Sequence, residues 1–200
     1  MFSGIIEACS PIEVVEQRSD LLALYIQRPA HFDDIHLGDS IAINGVCLTV
    51  EAVTSQQIKF TLGQETLRVT GWSQQTLQGA WVNLERSLKF GDRIHGHFVS
   101  GHVDSTSQAL VVIKGESWNL QFSKKNLNPK MLWPKGSVAI QGVSLTVNDV
   151  TATDFSVCII PETLLRTNLK NIKAGDVVNI EYDTWAKAFV HFQEQREANL

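Results

Sequence analysis

The chain has 200 residues, enough for one large core or for two domains of about 100 residues each. Hydrophobic residues make up 44% and charged residues 19%, which supports a packed interior and excludes wholesale disorder. A net charge of -4 with scattered Lys and Arg argues against nucleic acid as the partner, and no run approaches the ~18 apolar residues of a membrane span.

Met1-Phe2-Ser3-Gly4-Ile5 lacks the basic start and apolar stretch of a secretory signal, so a cytoplasmic location is expected. Further along come short β-branched or alternating runs at 21–27, 40–43, 46–53 and 58–62, punctuated by Gly, Asn and Asp. This is an all-β pattern. Gly45 interrupts otherwise continuous strand sequence, as Gly142 does later, and such a glycine marks a bulge, a tight turn or a close approach of backbone or ligand. Cys9, Cys47 and Cys158 are odd in number and lack CxxC spacing, so free thiols are expected.

The later half repeats the earlier one. Ser40-Ile41-Ala42-Ile43-Asn44-Gly45-Val46-Cys47-Leu48-Thr49-Val50 returns 97 positions on as Ser137-Val138-Ala139-Ile140-Gln141-Gly142-Val143-Ser144-Leu145-Thr146-Val147. The same offset of 97 lays Ser3-Gly4 on Ser100-Gly101 and Glu65-Thr66-Leu67 on Glu162-Thr163-Leu164. A further block, 79–85, matches 175–181 at an offset of 96, one loop residue apart. The chain is therefore two copies of one unit, expected at 1–95 and 96–183, followed by an element at 184–200. Short strands at this density favour two small closed barrels, since closure removes exposed edges. In the last element Asp183-Thr184 can cap a helix whose Trp185, Phe189 and Phe192 share a stripe, either packed on its own barrel or self-associating.

Changed polar positions between the copies are candidates for differentiated chemistry. Cys47 faces Ser144, Ile5 faces His102, and Gly38 faces Lys135. Cys47 taken alone reads as a small core residue, but serine at the equivalent place fits a polar group pointing into a pocket better. Thr49 and Thr146 could hydrogen-bond the edge of a heterocycle. His95 and His97, two apart on one strand face, together with His102 and Asp104, raise the alternatives of a zinc site, an acid/base group and mere satisfaction of backbone groups. The nucleophile elbow GxSxG, the Walker loop, GxGxxG after a strand and HExxH are all lacking.

The start Met1–Ile5, the block Asn44–Val50, Gly96-His97-Phe98-Val99-Ser100-Gly101-His102-Val103-Asp104, the block Gln141–Val147 and Pro161-Glu162-Thr163-Leu164 together resemble the riboflavin synthase family across nearly the whole chain. The resemblance implies an all-β fold of two tandem homologous six-stranded antiparallel β-barrels plus a C-terminal α-helix that gathers three chains. It implies a reaction in riboflavin biosynthesis without a bound cofactor or metal: two molecules of 6,7-dimethyl-8-ribityllumazine exchange a four-carbon unit, giving riboflavin and a ribitylaminouracil. The productive site would pair the first barrel of one subunit with the second barrel of its neighbour, and association with a lumazine synthase is a further implied partner.

Carried over by position, the first-barrel pocket takes Ser3, Gly4 and Ile5, then Cys47, Leu48 and Thr49, then Thr61, Leu62, Gly63, Gln64, Glu65 and Thr66. The second takes Gly101, His102 and Val103, then Lys135, then Ser144, Leu145 and Thr146, then Cys158, Ile159, Ile160, Pro161, Glu162 and Thr163. In the implied chemistry His102 shuttles a proton, Cys47 and Ser144 assist addition at the ring, and Lys135 is an electrostatic anchor. Ser3 stands where threonine is usual, and His95 and Ser105 where glycine is. The rival readings are a non-catalytic lumazine- or flavin-binding protein on the same fold and an oligonucleotide-binding barrel; the acidic balance speaks against the second.

Overall fold

The computed structural model describes residues 1–198. The first repeat runs β1 (Ala8–Arg18), β2 (Leu21–Gln27), β3 (Ser40–Ile43), β4 (Val46–Thr49), β5 (Ala52–Val53), β6 (Gln57–Leu62), the short helices α1 (Gln64–Thr70) and α2 (Gln74–Leu77), and β7 (Trp81–Arg86). The second runs β8 (Ser105–Ile113), β9 (Trp118–Ser123), β10 (Ser137–Ile140), β11 (Val143–Val150), β12 (Asp154–Ile159), α3 (Pro161–Arg166) and β13 (Val177–Tyr182), before the terminal helix α4 (Thr184–Ala198).

Strict alternation shapes these walls. In β6 the buried Ile58, Phe60 and Leu62 alternate with Gln57, Lys59 and Thr61, and β12 repeats this with Phe155, Val157 and Ile159 inside. The strands β10-β11-β12-β9-β8-β13 close into an antiparallel barrel. The first repeat has the order β4-β3-β7-β1-β2-β6-β5, and its two end strands are consecutive pieces of the run that forms the single strand β11 in the second repeat. Val50 and Glu51, between the two pieces, donate their N–H groups to the Asp39 and Lys59 carbonyls at 2.9 Å each, so the chain itself completes the ring. Counted this way each repeat contributes six strands, as expected.

Each barrel interior is filled by its own apolar core, the first around Ile12, Phe32 and Phe60 and the second around Phe122, which stacks on Phe155 at 5.5 Å. Between the barrels lies a smaller cluster of Phe2, Ala42, Val99 and Ala139, with Cys47 packed against it. Beside that cluster an amide lattice joins the repeats. Asn83 Nδ2 donates to the Gln141 carbonyl at 2.9 Å, and Asn179 Nδ2 donates to the Asn44 carbonyl at 2.9 Å. Gly45 and Gly142 meet at its centre with positive φ, and a Cβ on Gly45 would fall 2.8 Å from the Gly142 nitrogen. The interrupting glycines therefore serve a close backbone approach.

Helix α4 starts where expected, with Asp183 Oδ1 accepting the Trp185 N–H at 2.8 Å. Ala186 and Val190 turn inward, while Trp185, Phe189 and Phe192 remain 70%, 64% and 60% exposed. Residues 199 and 200 of the expected C-terminal element lie outside the described residues. Among the described residues no helix is long and apolar enough to cross a membrane.

Candidate functional site

Strand alternation decides where the two differentiated side chains point. In β4, Val46 and Leu48 are buried and Cys47 and Thr49 face outward; in β11, Val143 and Leu145 are buried and Ser144 and Thr146 face outward. The candidate sites therefore lie on the outer walls of the barrels. Leu62 and Ile159 are wholly inside the cores, and Leu48 and Leu145 are core members too, so these four offer a ligand only their main chain. Cys47 fits both readings of the sequence, since it packs on the inter-barrel cluster while only half-buried.

The grouping of segments differs from the one carried over by position. Phe2 and Val99 exchange two backbone hydrogen bonds of 2.8 and 3.1 Å, which draws the segments before β1 and β8 past each other. Each then crosses to the opposite barrel. The Ser144 N–H donates to the Gly4 carbonyl at 2.8 Å, and the Cys47 N–H donates to the Gly101 carbonyl at 2.8 Å. Ser3, Gly4 and Ile5 thus belong with Ser144, and Gly101, His102 and Val103 with Cys47. The crossing depends on missing side chains: a Cβ on Gly4 would lie 2.6 Å from the Ser144 Cβ, and one on Gly101 would lie 2.5 Å from the Cys47 Cβ.

Two buried carboxylates hold the crossing segments. Glu85, at the end of β7, accepts the Ser3 N–H at 2.7 Å, the Ser3 hydroxyl at 3.0 Å and the Gly4 N–H at 3.0 Å. Glu181, at the equivalent place on β13, accepts the Ser100 N–H and hydroxyl at 2.6 Å and the Gly101 N–H at 3.0 Å. The sequence signal for this pair was a glutamate kept at the end of the matching blocks, with no local cue to its target. Burial pushes the Glu85 carboxyl from 4.5 up to about 7, against the pull of the Ser3 and Gly4 donors. The native state thus keeps a proton that the unfolded chain releases near 4.5, so this group's contribution is full below that pH and is lost as pH rises to about 7. Between pH 5 and 7.5 the Glu85→Gln variant should lose less stability than the parent, by on the order of 1–3 kcal/mol, in urea midpoints. Equal slopes in the two proteins would refute this.

The histidines separate. His95 is exposed and lines an open cavity with Ser3, Ile5, Glu85 and Arg86, and among the described residues no group of three potential ligands converges on a metal position. His97 is half-buried with its Nδ1 2.7 Å from Ser144 Oγ, and burial holds its ring below the ordinary histidine range. His102 is exposed and follows Gly101, so it stands beside the Cys47 site, and its N–H donates to Ser100 Oγ at 3.3 Å.

Lys135 donates its N–H to the Val147 carbonyl at 2.8 Å, just as its counterpart Gly38 donates to Val50 at 2.9 Å. Both have positive φ, 68° for the lysine and 90° for the glycine. A lysine held in this conformation costs about 1 kcal/mol that its glycine counterpart does not incur. Lys135→Gly should therefore raise stability by up to ~1 kcal/mol in thermal unfolding while lowering turnover. A fully active variant would remove the lysine from the chemistry.

The flanking segments form equivalent rims. Thr61 faces outward from β6, Gly63 precedes α1, Gln64 Nε2 bonds Asp20 at 2.7 Å, Glu65 pairs with Arg68, and the Thr66 carbonyl accepts the Thr70 hydroxyl. In the second repeat Cys158 faces outward from β12, Ile160 is 59% exposed, Pro161 opens α3, Glu162 pairs with Arg166, and the Thr163 carbonyl accepts the Thr167 hydroxyl.

Comparison with known proteins agrees with this tandem arrangement. A family model described as the lumazine binding domain matches residues 3–87 and again 100–183. A riboflavin synthase of Escherichia coli (strain K12) is 38% identical over 98% of this chain and 92% of the relative. A riboflavin synthase of Bacillus subtilis (strain 168) is 37% identical over 100% of this chain and 93% of the relative. Among solved structures, LumP complexed with 6,7-dimethyl-8-(1'-D-ribityl) lumazine is 20% identical with a TM-score of 0.81, covering 90% of this chain and 98% of that one, a likeness of fold. LumP complexed with riboflavin gives 21% and a TM-score of 0.83, over 91% and 99% of the two chains. With two lumazine binding domains and this identity over its full length, the chain belongs to the riboflavin synthase family.

Proposed function

We propose that this chain is the enzyme that converts two molecules of 6,7-dimethyl-8-ribityllumazine into riboflavin and a ribitylaminouracil by transfer of a four-carbon unit. The observation that carries the reading is the pair of near-equivalent outer-wall sites, Cys47 with Gly101 and Ser144 with Gly4, each completed by a segment from the other repeat. A reaction between two identical molecules needs two such sites with unlike side chains. Holding both reactants in attack geometry supplies about 7–11 kcal/mol of the barrier without a metal or redox cofactor. His102 then moves a proton beside the Cys47 site, Cys47 and Ser144 assist addition, and Lys135 attracts the negative charge that develops on a lumazine carbanion.

Both sites face outward, with Ile5 43% and Ile160 59% exposed, and the aromatic stripe of α4 is uncovered. These exposed surfaces are suited to self-association, and the family resemblance implies a homotrimer in which the first barrel of one subunit faces the second barrel of its neighbour; mass measurement with and without residues after Thr184 tests this. Domain limits at 95/96 and 183/184, a cytoplasmic location and association with a lumazine synthase complete the reading. The decisive assay mixes the purified protein with the lumazine and no added cofactor. Riboflavin should appear, one for every two lumazines consumed. Tight lumazine binding without riboflavin would leave a non-catalytic binding protein on the same fold.

A further inference from the structure

We propose that Glu85 and Glu181 are positioning residues that act crosswise: Glu85, on the first barrel, sets the alignment of the Ser144 site on the second, and Glu181, on the second barrel, sets that of the Cys47 site on the first. This rests on the reading of Cys47 and Ser144 as parts of the two lumazine sites.

Strand register puts each carboxylate on the same wall as one site, while its hydrogen bonds lead to the other. Ala42 of β3 pairs with Cys47 of β4 on one side and with Glu85 of β7 on the other, so the three side chains form one row on one face of the first barrel. Ala139 pairs with Ser144 and with Glu181 in the same way on the second barrel. Within a row the carboxylate and the site are two strands apart, about 10 Å. The hydrogen bonds take the shorter route. Glu85 accepts the Ser3 and Gly4 N–H groups at 2.7 and 3.0 Å, and the carbonyl of that same Gly4 accepts the Ser144 N–H at 2.8 Å. Glu181 accepts the Ser100 and Gly101 N–H groups at 2.6 and 3.0 Å, and the Gly101 carbonyl accepts the Cys47 N–H at 2.8 Å. A single glycine thus separates each carboxylate from the site on the opposite barrel.

Those glycines are the weak points of the alignment. Gly4 and Gly101 have φ of 74° and 82°, and a residue without Cβ moves readily between conformations unless its polar groups are held. An ionised carboxylate supplies that hold, because both of its oxygens accept and it brings no donor of its own. Glutamine keeps one accepting oxygen but turns the other into an NH2 that faces N–H groups. The grip on the N–H side also polarises the glycine peptide units, which strengthens the hydrogen-bonded chain that ends at Ser144 or Cys47. Loosening it lifts the crossing segment from the side chain beneath: Gly101 lies so close over Cys47 that an added Cβ would be 2.5 Å from the Cys47 Cβ, and Gly4 lies over Ser144 in the same way at 2.6 Å.

Thiol labelling reads the two sites separately. Iodoacetamide is added at pH 8, above the value of about 7 to which burial pushes Glu85, and each cysteine is followed by peptide mass, with Cys9 and Cys158 as references. Cys47 reports the first site, and the thiol introduced by Ser144→Cys reports the second. Glu181→Gln should speed labelling of Cys47 about five- to tenfold, the worth of one well-made hydrogen bond, and leave the thiol at the second site at its parental rate. Glu85→Gln should do the reverse. With Ser144 in place, either glutamine variant should lower kcat about tenfold. Faster labelling at the site in the same row, equal changes at both sites, no change at either, or parental kcat in both variants would each overturn the proposal. Should a glutamine variant fail to fold, Ser3→Ala stands in for Glu85→Gln and Ser100→Ala for Glu181→Gln; each removes one of the donors to its carboxylate, and the same crossed pattern should appear at about two- to threefold. A parent that makes no riboflavin would sink the enzymatic reading, and the labelling pattern would still decide whether the two carboxylates act crosswise.

Discussion

Gly101→Ala should abolish turnover and lower the thermal midpoint by roughly 5–15 °C. Two costs add. At a φ of 82° a non-glycine residue loses about 1–2 kcal/mol, and the new methyl would sit 2.5 Å from the Cys47 Cβ, 2.9 Å from Phe2 and 3.0 Å from the Cys47 nitrogen. Crowding of that kind costs about 1–3 kcal/mol when the neighbours must move. Moving Cys47 away would lengthen the hydrogen bond from its N–H to the Gly101 carbonyl, which aligns the two halves of the first site. Gly79→Ala is the internal control: its φ of 73° brings the same backbone strain, but nothing lies within 4 Å of the added methyl. That variant should lose about 1–2 kcal/mol and keep its turnover. Equal behaviour of the two variants would mean that the crossing segment is not held by close contact.

The duplication made most of the architecture legible. Once Ser40–Val50 is laid on Ser137–Val147, each strand of one copy vouches for its counterpart, and β3 and β10 begin at Ser40 and Ser137 as that register requires. Period-two alternation then places Cys47 and Ser144 on the same face as Thr49 and Thr146. Alternation cannot say whether that face lines the lumen or the outer wall, and the apolar cores occupy the lumen. The crossing of the leading segments was illegible for a different reason. Gly4 lies 140 residues from Ser144, and nothing local in Ser3-Gly4-Ile5 distinguishes its own barrel from the other. Position-by-position carry-over therefore attached each segment to the wrong wall. His97 was visible only as one of several histidines, because its partner is fixed by the collapse of Gly96 onto Ser3 and Ser144 rather than by any spacing.

His102→Gln should reduce kcat by roughly 10²–10⁴-fold, the usual worth of a positioned acid/base group, while riboflavin affinity changes little. The crossing segments give this variant its meaning. Glu181 grips Ser100 and Gly101, and the Gly101 carbonyl is tied to Cys47, so residue 102 is delivered to the Cys47 site by main-chain contacts that any side chain would retain. Glutamine keeps comparable length and a polar end but cannot exchange a proton near neutral pH. A large fall in kcat with KM and riboflavin affinity intact would place the loss in the chemical step. A matching rise in KM would instead show a binding contact, and parental turnover would leave Cys47 and Ser144 to manage the proton between them. Cys47→Ser completes the test. Ser144 already presents a hydroxyl at the equivalent position, so a variant that keeps most of its activity excludes covalent attack by the thiol and leaves His102 as the group that moves the proton at that site.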